Sequence, residues 1–465
     1  MIRITRNRLK GFQEKRMLIF RELVKRFWNG EIKTNTDLDS LSRELITILK
    51  LEKEDLSFVQ DHIRIAMGLN PKGKADFQEE IAAIQHSKEI HEPIIAKLAE
   101  ACQDCPQEEH ECINTCKYEA RVYQRNEGPV IINNKCLSCG ECVTSCDFGA
   151  LADKIEFIPL IDLLQDEATD VYTAAAPAIA GQFGPDITIG QLRTALKLLG
   201  FKDLVEVALF ADILSLKEAY EFNDLVKTAD DFFLTSCCCP VWFNLVKRNY
   251  PQLFANMSPS VSPMIASGRI LKELYPQAKV VFISPCIAKK AEALEPDLKG
   301  AIDFVITFTE LKEIFEALEI KPATLPAIEK DQASFGGRIY ARSGGVSFSV
   351  KSVVNRIAPQ RLISFKAKKV AGVKNCKTIL DQLAEGKDPG ANFIEGMGCE
   401  GGCVGGPRTN IPKEEATDFV NELGEDSLIL TPFDNLNILT ILAQFGFASM
   451  EEIVENKKMK DLLTR

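Results

Sequence analysis

A chain of 465 residues has the length for two to four domains. Its 46% hydrophobic and 26% charged residues exclude a disordered chain, and no apolar run reaches the ~18 uncharged residues of a membrane helix. The net charge of −10 is uneven: residues 1–33 carry ten Lys/Arg against three Glu, a net of +7, which leaves the rest near −17. That basic start has no apolar signal core, no aromatic interleaving and no nucleic-acid motif. A solvated helix face explains it, so a cytoplasmic chain is expected, with no nucleic-acid or membrane partner. Fifteen cysteines in a reducing compartment point to metal or redox chemistry rather than disulfides. The only histidines are His62, His86, His91 and His110. Their absence from residues 111–465 excludes Ser-His-Asp and Cys-His catalysis there, and His-bound zinc or copper.

Residues 1–95 read as a helical accessory domain without cysteine. Leu18, Ile19, Leu23 and Phe27 recur at helical spacing, Asn29-Gly30 closes that helix, and Asp37 or Ser40 is placed to cap the next. Residues 96–155 hold eight cysteines within 45 positions and are expected to be held by clusters more than by a core. Residues 156–465 read as α/β. Strands are expected at Val171–Ala175, Leu204–Leu209, Asp231–Leu234, Val280–Ile283 and Phe304–Thr307, with helices at Ile189–Leu199, Leu214–Val226 and Ile265–Leu274 between them. This alternation implies parallel sheet with crossover helices. The stretch from Asn435 to Leu463 reads as helical again.

Cys136, Cys139, Cys142 and Cys146 are spaced C-x2-C-x2-C-x3-C, the bacterial ferredoxin run for a 4Fe–4S cluster, with Asp147 where Pro usually follows. Thiolate is a soft ligand suited to iron–sulfur chemistry. An upstream set, Cys102, Cys105, Cys112 and Cys116, has a wider middle gap and ends on Lys117. A structural zinc site is the alternative for either set.

Three further segments carry chemistry: Thr235-Ser236-Cys237-Cys238-Cys239-Pro240-Val241-Trp242, Pro285-Cys286-Ile287-Ala288-Lys289-Lys290-Ala291-Glu292, and the Gly-rich run Glu395–Pro407 with Cys399 and Cys403. Each lies near an expected strand end or in a glycine loop, where parallel α/β sheets collect their sites. Cys239, Cys286, Cys399 and Cys403 could converge on one cubane, with glycines allowing close backbone approach. Cys238 would then be a spare thiol able to pass protons. Lys289 offers a fixed positive charge to an anionic ligand.

In order and spacing these segments resemble the signature segments of iron-only (FeFe) hydrogenases, over roughly residues 96–410. Cys237-Cys238-Cys239 and Gly406-Pro407-Arg408 resemble a divergent branch called group B. The two upstream quartets resemble a two-cluster ferredoxin domain. The resemblance implies a ferredoxin-like 2x(4Fe–4S) domain at 96–155 and a large two-lobed α/β catalytic domain with parallel sheets at 156–465. It implies that Cys102, Cys105, Cys112 and Cys146 share one cluster, and Cys136, Cys139, Cys142 and Cys116 the other. It further implies an H-cluster: a 4Fe–4S cubane on Cys239, Cys286, Cys399 and Cys403, joined through Cys403 to a di-iron unit with CO, cyanide and a dithiolate amine. Cys238 matches the proton-exchanging cysteine, Lys289 the cyanide donor and Met397 a methionine packed on the di-iron unit.

Glu218 and Glu221 share a helix face. Glu218 lies 20 residues before Cys238 and Ser258 lies 20 after it. These offsets match the family's proton relay of Cys238, Glu218, Ser258 and Glu221; ordinary surface glutamates are the plain alternative. The chain departs from many relatives at Leu225 (Arg), Ser284 (Met), Ala178 (Ser) and Met264 (Gln), positions that bear on the relay's outer step or the di-iron pocket. Cys376 reads as a buried, unassigned thiol, and Cys237 as either a tuning or a neutral neighbour.

The expected function is reversible interconversion of protons, electrons and hydrogen. The expected partners are ferredoxin or a similar carrier, and maturation proteins that install the di-iron unit. Two alternatives stand beside it. One is a hydrogen sensor. The other is a hydrogenase-like iron–sulfur protein without the di-iron unit, acting in electron transfer or cluster assembly. Assembly relatives depart at the proton-donor cysteine and the cyanide-binding lysine, which this chain keeps as Cys238 and Lys289.

Overall fold

The structure, a computed structural model, describes residues 9, 11–86, 92–98, 101–102, 111–124, 128–235 and 238–465. Cys105 and Cys237 lie outside the described residues, as do His91 and His110. The chain divides into two compact units: residues 1–167 with 309–321, and residues 168–308 with 322–465.

In the first unit, the helix Phe12–Trp28 buries Phe12, Ile19, Phe20, Leu23 and Val24 completely, while Leu18 turns outward. Asn29 caps its C-terminus and Gly30 follows in the left-handed region (φ 68°), as the Asn-Gly pair predicts. The next helix, Asn35–Ile48, is capped by Thr34, one turn before the expected residues. Asp37 completes the capping box from the third helical position. These helices pack against the cysteine-rich segment. Arg16 makes a buried 2.5 Å ion pair with Asp153, Gln13 donates to the Val143 carbonyl at 2.6 Å, and the Ile155 amide donates to the Ile65 carbonyl at 3.1 Å. Arg21 reaches Glu313 in the 309–321 segment at 2.6 Å.

The cysteine-rich segment is built from two antiparallel pairs. Strand β1 (Ile95–Lys97) pairs with β4 (Leu151–Asp153), and β2 (Arg121–Gln124) with β3 (Gly128–Ile131). Two single-turn helices, Glu111–Asn114 and Glu141–Thr144, carry Cys112 and Cys142. Its small core is Ile95, Cys112, Cys142, Val143 and Leu151.

The second unit is mixed α/β with two parallel sheets. One has the order β6-β5-β8-β9, from β5 (Val171–Ala175), β6 (Asp203–Glu206), β8 (Lys279–Ser284) and β9 (Phe304–Thr307). The other has the order β10-β11-β7, from β7 (Phe233–Leu234), β10 (Ala367–Ala371) and β11 (Phe393–Met397). The expected strand Leu204–Leu209 stops at Glu206. Val207 opens a helix running to Leu225 that is buried from Val207 through Ala219. A helix buried on all faces has no amphipathic stripe, so its start reads like a buried strand. The C-terminal stretch is helical at Leu436–Gln444, Glu452–Glu455 and Lys457–Leu463.

Candidate active site

The three cysteine segments of the second unit leave the carboxyl ends of three parallel strands, where such sheets place their sites. After β7, Cys239 is the N-cap of the helix Pro240–Asn249. Trp242 on that helix is buried and its Nε1–H donates to the Thr235 carbonyl at 2.6 Å, closing the loop that bears Cys238. A Cβ at Gly396 would lie 2.1 Å from the Trp242 ring, so β11 can pass beneath the indole only with glycine there. After β8, the Ser284 hydroxyl accepts the Cys286 amide at 3.3 Å. After β11, the Gly398 amide donates to Cys239 Sγ at 3.2 Å. Gly402 has φ 97°, and a Cβ there would meet Met397 Sδ at 2.7 Å. The sulfur of Met397 therefore packs against the loop joining Cys399 to Cys403.

Cys238, Cys239, Cys286 and Cys403 come together: Cys403 feels the charge of each of the other three. Cys399 sits on the same loop, four residues before Cys403. Burial pushes the Cys239 thiol up to about 12 and Cys403 well above the ordinary range, with the neighbouring thiols adding to both. Without metal these groups are neutral thiols, and taking up iron must release their protons. Among the described residues no three His, Cys, Asp or Glu side chains meet tightly enough to hold one bare ion. A cubane spaces its thiolates wider than a single ion does. The donor chemistry, the glycine approach and the amide on Cys239 Sγ all suit an iron–sulfur cluster.

Beside these thiols lies a small cavity of about 50 Å³. Its walls are almost wholly apolar, Ala176, Pro177 and Met264 among them, and Cys238, Lys289 and Cys403 are its chemical groups. Of the noted departures, Met264 lines this cavity, while Ser284 holds the Cys286 amide. Lys289 and Glu292 form a buried ion pair at 2.6 Å. Burial would lower the Lys289 ammonium, but Glu292, with smaller contributions from Cys286 and Cys403, holds it above its usual value, so it stays charged.

On the helix Val207–Leu225, Glu218 is fully buried and Glu221 partly exposed. The Ser258 hydroxyl donates to Glu221 Oε2 at 2.7 Å, which joins the two outer members of the expected relay. Sequence reasoning missed Lys217 and Ser260. Lys217 Nζ, in a buried side chain, donates to Glu221 Oε1 at 2.5 Å and to Ser260 Oγ at 2.8 Å. The Ser260 amide donates to Ser258 Oγ at 3.2 Å. The i,i+4 spacing of Lys217 and Glu221 was the available signal. Leu225 is about half exposed and supplies no charge. Cys376 is buried and its thiol donates to the Met397 carbonyl at 3.3 Å.

In the first unit, Cys102 has Cys112 and Cys146 as charge neighbours, and Cys136 has Cys116. Cys142 neighbours Cys136 and Cys116, and also Cys112. Cys139 is a neighbour of Cys136 and Cys142, and burial pushes its thiol well above the ordinary range. Ser138 (φ 51°) and Gly140 (φ 85°) take left-handed conformations that wind this stretch into a tight loop.

Cysteine loops gathered at the carboxyl ends of parallel strands, in a chain that also carries a second cysteine-rich unit, define an iron–sulfur α/β protein. Residues 169–407 match the family described as "Iron only hydrogenase large subunit, C-terminal domain", and the chain belongs to that family. It is 28% identical to "Iron hydrogenase 1" of Clostridium pasteurianum over 391 residues, 64% of this chain and 68% of that relative. It is 28% identical to "NADP-reducing hydrogenase subunit HndD" of Solidesulfovibrio fructosivorans over 322 residues, 58% of this chain and 55% of the relative. It is also 22% identical to "Cytosolic iron-sulfur assembly component 3" of Mus musculus over 366 residues, 64% of this chain and 76% of that protein. A structure of HydA(deltaEFG), described as revealing stepwise FeFe-hydrogenase H-cluster assembly, superposes with a TM-score of 0.53 at 21% identity. It covers 64% of this chain and 94% of the other, and shows the shared fold.

Proposed function

We propose that this protein is an iron-only hydrogenase, joining two protons and two electrons to hydrogen and running the reverse reaction. The observation that carries this reading is that Cys238 and Lys289 face the same apolar cavity as Cys403. Cys239, Cys286, Cys399 and Cys403 would hold the cubane of an H-cluster, with Cys403 reaching the di-iron unit. When bound, that unit supplies the metal centre at which protons and electrons combine. The chain's own residues do the rest. The apolar walls exclude water, which strengthens every charge interaction inside. Lys289 presents a fixed cation to an anionic ligand, and the Met397 sulfur packs against the cluster loop. Cys238 holds an exchangeable proton at Sγ. Glu218, Ser258 and Glu221 would carry protons between Cys238 and the surface, with Lys217 holding Glu221 where an Arg at 225 is absent.

Cys102, Cys105, Cys112 and Cys146 would hold one 4Fe–4S cluster, and Cys136, Cys139, Cys142 and Cys116 a second. The neighbours seen for Cys102 and Cys136 favour this exchange of the fourth ligand. These clusters would pass electrons from ferredoxin or a similar carrier, in a reducing compartment such as the cytoplasm. Residues 1–95 would serve as an accessory part of the same unit. Similarity to a cytosolic iron–sulfur assembly protein supports a second reading, a cluster protein without hydrogen turnover. Reduced methyl viologen distinguishes the readings in protein matured anaerobically with the family's maturation proteins. Sustained hydrogen evolution is expected. Absence of turnover, in a preparation where a known hydrogenase matures, would favour the assembly reading, and slow single events a sensor.

A further inference from the structure

Arg121, the first residue of β2, is buried (3% exposed) in the cysteine-rich segment. Its Nη2–H donates to Cys112 Sγ at 3.3 Å. Its Nε and Nη1 are buried with no hydrogen-bond partner, and no carboxylate among the described residues pairs with it. A guanidinium does not give up its charge in a protein. A buried, unpaired cation is costly, because its desolvation is repaid only by an opposing charge at close range. The groups around it are Cys112, Cys142 and Cys102, which carry negative charge only as thiolates. Among the described residues no other charge opposes this cation, and anionic clusters on these cysteines, Cys102 and Cys112 in one set and Cys142 in the other, would do so.

We infer that Arg121 sets the reduction potential of the 4Fe–4S cluster held by Cys112, raising it through its fixed charge and its donors to the cluster's sulfurs. This rests on the cluster reading given above. Reduction of such a cluster adds one electron and one unit of negative charge, with no proton or bond required. A buried cation lowers the free energy of the more negative form, and hydrogen bonds to sulfur act in the same direction. Its charge also reaches Cys142 of the second set, but its hydrogen bond goes to Cys112 Sγ alone, which makes the cluster on Cys112 the easier to reduce. Arg121 acts through the cluster and does not meet hydrogen.

The test is a potentiometric titration of the full chain with reconstituted clusters, with dithionite supplying the electrons and electron paramagnetic resonance following each reduced cluster. Wild type, Arg121→Gln and Arg121→Lys are compared after iron and sulfide analysis. Arg121→Gln is expected to keep its iron and to make one of the two cluster signals harder to reduce by at least tenfold in its one-electron constant, about 59 mV. Arg121→Lys, which keeps the charge and loses the planar fork, should fall between. Unchanged potentials in Arg121→Gln at full iron content would overturn the inference. Loss of iron from both variants would also overturn it, making Arg121 a requirement for holding the cluster. Wild-type protein that takes up zinc rather than iron would instead sink the cluster reading itself.

Discussion

The two units handle cysteine in opposite ways. In the first, eight cysteines fall within 45 residues, and the ligands of each expected cluster are nearly local in sequence. In the second, Cys239, Cys286 and Cys403 come from loops after β7, β8 and β11, strands of two different sheets. A local loop can wrap a cluster with little help from a core. A dispersed site exists only because the sheets and the close approaches at Gly396, Gly398 and Gly402 hold the loops in place. The first arrangement is suited to passing electrons. The second adds an apolar cavity with a thiol and a cation in its wall.

The sharpest way to break this comparison is at Cys238. Cys238→Ala is expected to cut hydrogen evolution by about 10²–10⁴-fold, the range for losing a general acid–base group, with iron content and melting temperature near wild type. A proportional loss of iron would make Cys238 a ligand instead. The first unit should give way to acid before the second. Burial lowers His62 to about 3. Its unfolded value is near 6.5, so the stability it contributes is complete above pH 6.5 and is lost as pH falls toward 3. Burial alone would raise Glu80, but bonds from Arg64 and Lys72 bring it down to about 2. Its contribution is complete above pH 4.5 and fades as pH falls through 2. Hydrogen exchange resolved by segment should show residues 12–86 losing protection from pH 6 downward, and His62→Gln should remove the upper part of that decline.

Gly396→Ala sharpens the comparison from the other side. The added methyl meets the Trp242 ring and should cost about 1–3 kcal/mol by overpacking, read as a lower melting temperature of the second unit with the first unchanged. The smallest effect is expected at Lys217. Lys217→Met should slow proton exchange at the site by on the order of tenfold, below the cost of losing Cys238 itself. It should also reshape the pH profile of turnover while the cluster signals stay unchanged. A flat profile would remove Lys217 from the proton path.

The contrast also explains what could be read from the chain. The cysteine spacings were legible because cluster ligation fixes short intervals, and Val171–Ala175 and Phe304–Thr307 were legible as short apolar runs between turn signals. β10 and β11 were not. β10 is an edge strand whose Lys368 and Lys369 interrupt any apolar run, as edges commonly do. β11 contains Glu395, which looks like a surface residue in sequence. In the fold it is buried and accepts the Gly344 and Ser347 amides at the start of the helix Gly345–Ile357. The Lys217–Glu221–Ser258 network was half legible. The offsets from Cys238 marked Glu218 and Ser258, and the face shared with Glu218 marked Glu221, but the bonds from Lys217 to Glu221 and Ser260 show only in the fold. Arg121 gave no sequence signal, since a buried arginine without a carboxylate partner looks like any other strand arginine.

The central claim is that the cavity beside Cys403 takes a di-iron unit with Cys238 and Lys289 in its wall. The most direct measurement is the infrared spectrum of anaerobically purified, matured protein in the region where iron-bound CO and cyanide absorb. The account predicts such bands, with the cyanide bands shifted in Lys289→Asn. Their absence, in protein that carries its full complement of cubane iron and was matured alongside a hydrogenase that does show them, would contradict it.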